Sequence, residues 1–257
     1  MRRALPPKII LLCTCLFANR LCAQLTSADS SLLNTSIATA IKLHNSVLGE
    51  KIHLYNGSKN EGYNHVAIGN PYFLSDQVQT GNVFYDDTYY QDVLMLYDLV
   101  QDNVVIVQYA DEKENISPEY RNILRMNLVK SKIGWFTMPG HEFVLLKADS
   151  SSIGMPPGFY ERMYNGGTKL FVKRTKVYVE EVKGNELERR FDLRTLFYVQ
   201  KDGKYYAVRS QKTLFRVLKD KRKDLGSFTR KNKKRFRKNK ELLMFETTRY
   251  YDQLIIH

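Results

Sequence analysis

Between Lys51 and Arg209 the chain breaks into short apolar runs separated by polar turns, and no helical period intervenes. That alternation constrains the fold more than any other feature, because runs joined by two- to four-residue turns pair with their immediate neighbours as antiparallel strands. Val83-Phe84-Tyr85 and Tyr89-Tyr90 flank Asp86-Asp87-Thr88, and Val93 to Val100 and Val104 to Tyr109 flank Gln101-Asp102-Asn103. Leu124 to Val129 alternates, and Ile133 to Thr137 and Phe143 to Leu146 enclose Pro139-Gly140. Phe159 to Tyr164 and Leu170 to Val179 enclose Asn165-Gly166-Gly167, where Asn-Gly predicts a type I′ turn. Leu196 to Val199 and Tyr205 to Val208 enclose Lys201-Asp202-Gly203. The prediction is an α+β protein built on an antiparallel β-meander of about eight to ten strands, closed as a barrel, curled as a half-barrel or folded as a sandwich.

Helical period appears only at the two ends. Leu33, Ile37, Ile41, His44 and Leu48 lie on one face of a helix within 24–50, with Asp29 or Ser30 as N-cap and Gly49 as its stop. From 209 to 257 two or three short helices follow, packed on the sheet. Ser210 caps the first, which carries Leu214, Val217 and Leu218. Leu225, Phe228 and Phe236 continue a sparse stripe interrupted at Gly226. Leu243, Thr247, Tyr250, Tyr251 and Leu254 share a face of the last.

The first 23 residues read as an address rather than structure. Arg2, Arg3 and Lys8 precede the apolar run Ile9 to Phe17, and Leu21-Cys22-Ala23 precedes Gln24, the order of a secretory signal cut after Ala23. A buried N-terminal helix fits worse, since Pro6 and Pro7 sit before the run and Arg20 behind it. A lipoprotein anchor on Cys15 or Cys22 lacks the small residues such a site requires. No stretch reaches the ~20 apolar residues of a helical membrane span. All three cysteines fall in this leader, so the exported chain has neither a disulfide framework nor a thiolate site.

Charge is distributed unevenly. The net charge of +13 falls to +9 without the leader, and residues 24–200 sum to −3 while residues 201–257 sum to +12. Lys221, Arg222, Lys223, Arg230, Lys231, Lys233, Lys234, Arg235, Arg237 and Lys238 concentrate there, with Phe228 and Phe236 interleaved. In the cytoplasm such a run points to nucleic acid; outside it, the matching polyanions are lipid headgroups, lipopolysaccharide phosphates and acidic glycans. The competing explanation is a solvated face that aids solubility.

Catalytic signals are absent. No nucleophile elbow, phosphate-cradling loop or dinucleotide fingerprint occurs, the five histidines have no ligand spacing, and nothing calls for a metal or cofactor. His141-Glu142 lacks the second histidine of a zinc-protease helix, since Leu145 stands in its place. Asp98 interrupts an apolar strand and must face water, bond to amides or carry a shifted pKa. Tyr85, Tyr89, Tyr90 and Tyr97 form a candidate aromatic patch, although strands favour such residues for packing alone.

The motifs His53-Leu54-Tyr55-Asn56-Gly57, Gly69-Asn70-Pro71-Tyr72-Phe73, Gly81 to Asp86 and Leu96-Tyr97-Asp98 resemble a spaced LYNG … GxPYF … GxVxYDG … YD run of exported proteins of Bacteroidota. Arg209-Ser210, Lys219 to Lys221, Phe228 to Lys233 and Tyr250 to Leu254 extend the resemblance into the tail. It implies a periplasmic or surface address and no named activity; where that family often has Gly in its first hairpin turn, this chain has Asp87-Thr88. The leading expectation is therefore a non-enzymatic envelope protein whose basic helices meet an anionic surface. The alternatives are a carrier of a small apolar ligand in a groove of the meander, and a glycan hydrolase working through paired carboxylates.

Overall fold

The computed structural model describes residues 53–63, 67–109, 123–147 and 155–256. The leader and the expected helix within 24–50 lie outside them. Eleven strands form one antiparallel sheet: β1 (Ser58–Lys59), β2 (Gln79–Tyr85), β3 (Thr88–Asp98), β4 (Asn103–Tyr109), β5 (Ile123–Asn127), β6 (Ile133–Met138), β7 (His141–Leu146), β8 (Gly158–Asn165), β9 (Lys169–Lys183), β10 (Glu186–Lys201) and β11 (Lys204–Val208). Four helices follow: α1 (Gln211–Val217), α2 (Arg222–Lys231), α3 (Lys233–Phe236) and α4 (Lys240–Ile256). The expected meander of strands with a helical C-terminus is the observed architecture. No helix among the described residues is long and apolar enough to cross a membrane.

The spatial order β1-β5-β4-β3-β2-β6-β7-β8-β9-β10-β11 shows two departures from a simple meander, since β1 pairs with β5 instead of β2, and β6 with β2 instead of β5. After β5 the chain returns through a 3-10 turn (Lys130–Lys132) and pairs β6 with β2, so β2 divides the sheet into two wings. The sheet stays open, with β1 and β11 as its edges, which excludes the closed barrel. It is nonetheless curled. The β3–β4 loop folds onto the other wing, where the Lys176 amide donates to the Leu99 carbonyl (3.0 Å) and the Lys173 ammonium to Asp102 Oδ2 (2.7 Å).

Turn chemistry sets the registers. Asp202 and Gly203 both adopt positive φ (52° and 73°) between the paired Lys201 and Lys204, the predicted Asp-Gly turn. Asp86 and Asp87 do the same without a glycine (φ 50° and 60°), connecting Tyr85 to Thr88. The predicted type I′ turn at Asn165-Gly166 is not formed. Asn165 pairs with Lys169, so the loop has three residues, and no positive φ occurs in it. Glycine serves close approach there instead: a Cβ on Gly166 would lie 2.2 Å from Asp252 Oδ2 of α4. The buried Asp252 carboxylate accepts the Thr168 amide (3.0 Å to each oxygen), pinning the β8–β9 loop to α4.

One buried row crosses eight strands. Tyr90, Val83, Phe136, Phe143, Glu161, Val172, Phe197 and Val208 are successive cross-strand partners and therefore share a face. At one end the curl encloses Tyr97, Phe136, Phe143 and Phe159, packed edge-to-face and stacked with centroids 4.7–5.9 Å apart. At the other end Leu170, Val172, Phe197 and Val199 are covered by Leu214, Leu218, Leu225, Met244 and Tyr251 from the helices.

The helices start where the sequence places them but pack differently. Ser210 caps α1 in a reciprocal box with Thr213. Gly226 does not interrupt α2, which runs on to the Asn232 cap. On α4 the buried positions include Met244, Thr247, Thr248, Tyr251 and Asp252, so the inward face is turned from the one expected; Leu243 and Tyr250 are only partly buried. Beyond β8 and β11, β9 and β10 extend as a two-stranded arm with Val182 71% exposed and Leu187 48% exposed.

Candidate basic face and the adjoining cavity

The basic helices present their charge outward because a few apolar residues fix how they lie. On α2, Leu225 and Thr229 are buried, which turns Arg222, Lys223, Arg230 and Lys231 toward solvent. Lys223 and Arg230 sit two turns apart, about 10 Å along the axis. Phe228 stacks on Tyr250 (4.3 Å) and meets Phe236 (5.9 Å), so the interleaved phenylalanines anchor the helices instead of extending the surface. Asn232 closes α2 by donating its amide to the Phe228 carbonyl (2.9 Å). Buried Phe236 then fixes α3, leaving Lys233, Lys234, Arg235, Arg237 and Lys238 exposed around it.

Few of these cations are neutralised. Arg235 pairs with Glu246 (2.9 Å), an acid it shares with Arg249 (2.6 Å). Lys201 takes Asp220 (2.8 Å). None of Lys221, Arg222, Lys223, Arg230, Lys231, Lys233, Lys234, Arg237 and Lys238 forms an ion pair among the described residues. All of them are exposed except the half-buried Lys221. The structure thus brings the ten sequence-predicted cations onto three consecutive elements, from the 3-10 turn before α2 to the α3–α4 junction, with one of them compensated.

The tyrosines expected as a patch do not form one. Tyr85, Tyr90 and Tyr97 are 1%, 5% and 1% exposed, because alternation turns them into the curl; Tyr89 alone is exposed, against Trp135 (5.5 Å). Tyr97 donates to Asp102 (2.6 Å) from within the ring cluster. Asp98 is fully buried and structural: it accepts the Val100 and Gln101 amides (2.8 and 3.0 Å) and the Tyr63 hydroxyl (2.8 Å). Burial and the Asp98 contact push the Tyr63 phenol well above its usual range.

A second feature adjoins the basic face. Glu161 is the one charged member of the buried row, placed between the ring cluster of the curl and the core under the helices. A buried carboxylate needs charge-assisted partners. His141 Nδ1 lies 2.6 Å from Glu161 Oε1, and Arg174 donates through Nε (2.7 Å) to Oε2. Arg174 spends its remaining face on Glu241, in the first turn of α4 (2.5 and 3.0 Å). Burial works against the Arg174 charge, but the hydrogen bonds and fields of Glu241 and Glu161 outweigh it and raise its pKa. The Arg174 hydrogen bonds likewise hold the Glu241 carboxyl below its usual range. Phe73 packs edge-on against the His141 ring (4.9 Å) and under the guanidinium (5.8 Å).

This chain backs an open cavity of about 410 Å³ lined by His141, Glu142, Glu161, Arg162, Met163, Asn239, Glu241, Leu242 and Phe245, with Gly140 at the β6–β7 turn. Glycoside hydrolysis needs a carboxyl kept protonated as acid; Arg174 does the opposite to Glu241. No cluster of three metal-ligating side chains occurs among the described residues. Sequence reasoning dismissed His141 as a zinc ligand and missed Glu161, although Phe159-Tyr160-Glu161 in a strand puts Glu161 on the inward face of Phe159. Glu241 carries no comparable signal, since its partner lies 67 residues away. No protein-family model, curated protein or solved structure matches the chain.

Proposed function

We propose that this is an exported envelope protein that works by binding, with the α2–α3 face docking on a surface rich in phosphate or carboxylate groups. The observation that carries this reading is the set of nine cations without an ion pair among the described residues, held on helices that are themselves fastened to the sheet. So much like charge on short helices repels itself and opposes folding, a cost that a bound polyanion removes. The leader and the resemblance to exported Bacteroidota proteins support an address where lipid headgroups and acidic glycans, rather than nucleic acid, are the polyanions met. The carrier reading has less support, since the interior of the curl is filled by Tyr97, Phe136, Phe143 and Phe159.

The test is co-sedimentation with phosphatidylglycerol vesicles, with lipopolysaccharide and with an acidic polysaccharide, at rising salt. Each cation near an anionic surface contributes about 1 kcal/mol. Replacing Lys231, Lys233, Lys234 and Arg235 by Gln is therefore expected to weaken binding on the order of a thousandfold at low salt, and salt itself to weaken the parent protein. Absence of retention, or equal retention of parent and variant, overturns the proposal.

A further inference from the structure

The cavity beside the basic face has walls whose charges are already spent. Arg162 is bound to Glu142 through both its Nε (3.1 Å) and a terminal nitrogen, and Arg174 to both Glu161 and Glu241. Neither guanidinium is left over to hold an anion inside, and the three wall carboxylates Glu142, Glu161 and Glu241 outnumber the two arginines that hold them, so the wall turns away a ligand's own carboxylates and phosphates. What remains is hydrogen-bonding capacity on His141 and Asn239. His141 commits Nδ1 to Glu161 and keeps Nε2, which has no partner among the described residues. Asn239 uses Oδ1 to cap α4 through the Leu242 amide (2.8 Å), and its side-chain amide nitrogen has no partner among the described residues. Between these polar groups lie Met163, Leu242 and the Phe245 ring, the last fixed by Tyr164 (6.0 Å) and Arg249 (5.6 Å).

Hydrogen-bonding walls whose arginines are already engaged, around an apolar, aromatic floor, suit a neutral polyhydroxylated ring, whose hydroxyls and C–H faces have both needs. The volume of about 410 Å³ lies within the roughly 300–1,000 Å³ of small-molecule sites. Lys238, exposed and without an ion pair among the described residues, is the neighbour of Asn239 in the chain, so cationic surface begins at the rim. We propose that the cavity receives a neutral sugar ring of an acidic glycan whose charged groups rest on the α3–α4 cations. This inference rests on the basic-face reading and narrows its ligand from any anionic surface to a saccharide one.

Two probes separate the two readings: a hyaluronan hexasaccharide, which carries carboxylates on a sugar chain, and polyphosphate, which carries charge and no sugar. Affinities are measured by titration calorimetry on the full chain. Asn239→Gly removes the free amide and costs the α4 cap only a few tenths of a kcal/mol. It is expected to weaken hexasaccharide binding about tenfold and to leave polyphosphate within twofold. In the unaltered protein, the hexasaccharide is expected to shift the NMR resonances of the His141 ring and polyphosphate to leave them in place, a readout independent of any variant's folding. If both probes shift His141 alike, or if neither does, or if Asn239→Gly affects the two affinities equally, the saccharide cavity is overturned while the basic face stands. If the unaltered protein binds neither probe, the basic-face reading fails and this inference with it.

Discussion

Asp102 holds the curl of the sheet shut, and its replacement by Asn measures how strongly. The carboxylate sits in the β3–β4 loop and accepts from Lys173 of β9 (2.7 Å), Lys130 (2.5 Å), the Tyr97 hydroxyl (2.6 Å) and the Phe159 amide (3.3 Å). The side chains of Lys173 and Asp102 are 5% and 15% exposed, so the pair belongs to the interior. Burial opposes the Lys173 charge and lowers its pKa despite the Asp102 contact. Burial also opposes the Asp102 charge, but the Lys173 field and the hydrogen bonds from Lys130, Lys173 and Tyr97 prevail and lower its pKa. Asn keeps the shape and an acceptor oxygen but leaves Lys173 buried without a countercharge. Breaking one side of such a pair costs about 3–5 kcal/mol. The retained acceptor for Tyr97 and Phe159 puts Asp102→Asn near the lower end, about 3 kcal/mol at pH 7. Lys173→Met on the same background removes the stranded ammonium while keeping a side chain against Tyr160, and is expected to recover about 2 kcal/mol. Urea unfolding with an unchanged m-value is the assay. Because the folded-state pKa of Asp102 lies below the unfolded one, its contribution is complete above the ordinary carboxylate range near 4 and disappears as pH falls through the depressed value. The stability gap between parent and variant should therefore narrow in acid. A loss under 1 kcal/mol at pH 7, or no rescue by Lys173→Met, refutes the latch.

Two further substitutions test the local reasoning. Gly226 lies inside α2 and an added Cβ meets nothing within 4 Å, so Gly226→Ala is expected to stabilise by about 0.8–1 kcal/mol in thermal unfolding; a lower melting temperature contradicts the helical assignment. Asp87 holds positive φ without the freedom of glycine, so Asp87→Gly is expected to gain about 0.5–1 kcal/mol, and a loss would mean that the carboxylate has a role in the turn.

Local chemistry was legible in the sequence and long-range pairing was not. The Asp202-Gly203 turn, the Ser210 cap and the polar breaks at Asp102 and Pro139-Gly140 each act within a few residues, and each stands where the pattern puts it. The return of β6 to β2 is set by which strands bury each other, a choice the alternation leaves open. The β9 strand was legible to Val179, but the outer arm beyond it escaped notice because charged residues crowd the pattern there, with Arg189 paired to Glu180 and Arg190 to Glu181. At the site, the basic run was plain from composition, and the cavity was hidden because its walls come from β7, β8 and α4.

The helices that display the cations are also the lid over Leu170, Val172, Phe197 and Val199. Cutting away the C-terminal segment would strip that half of the sheet and confound loss of binding with loss of the fold; charge has to be removed one side chain at a time. The same coupling gives the array a geometry. A loose polycation moulds itself to any spacing of negative groups, whereas charges on a braced scaffold favour the polymers whose repeat matches their own.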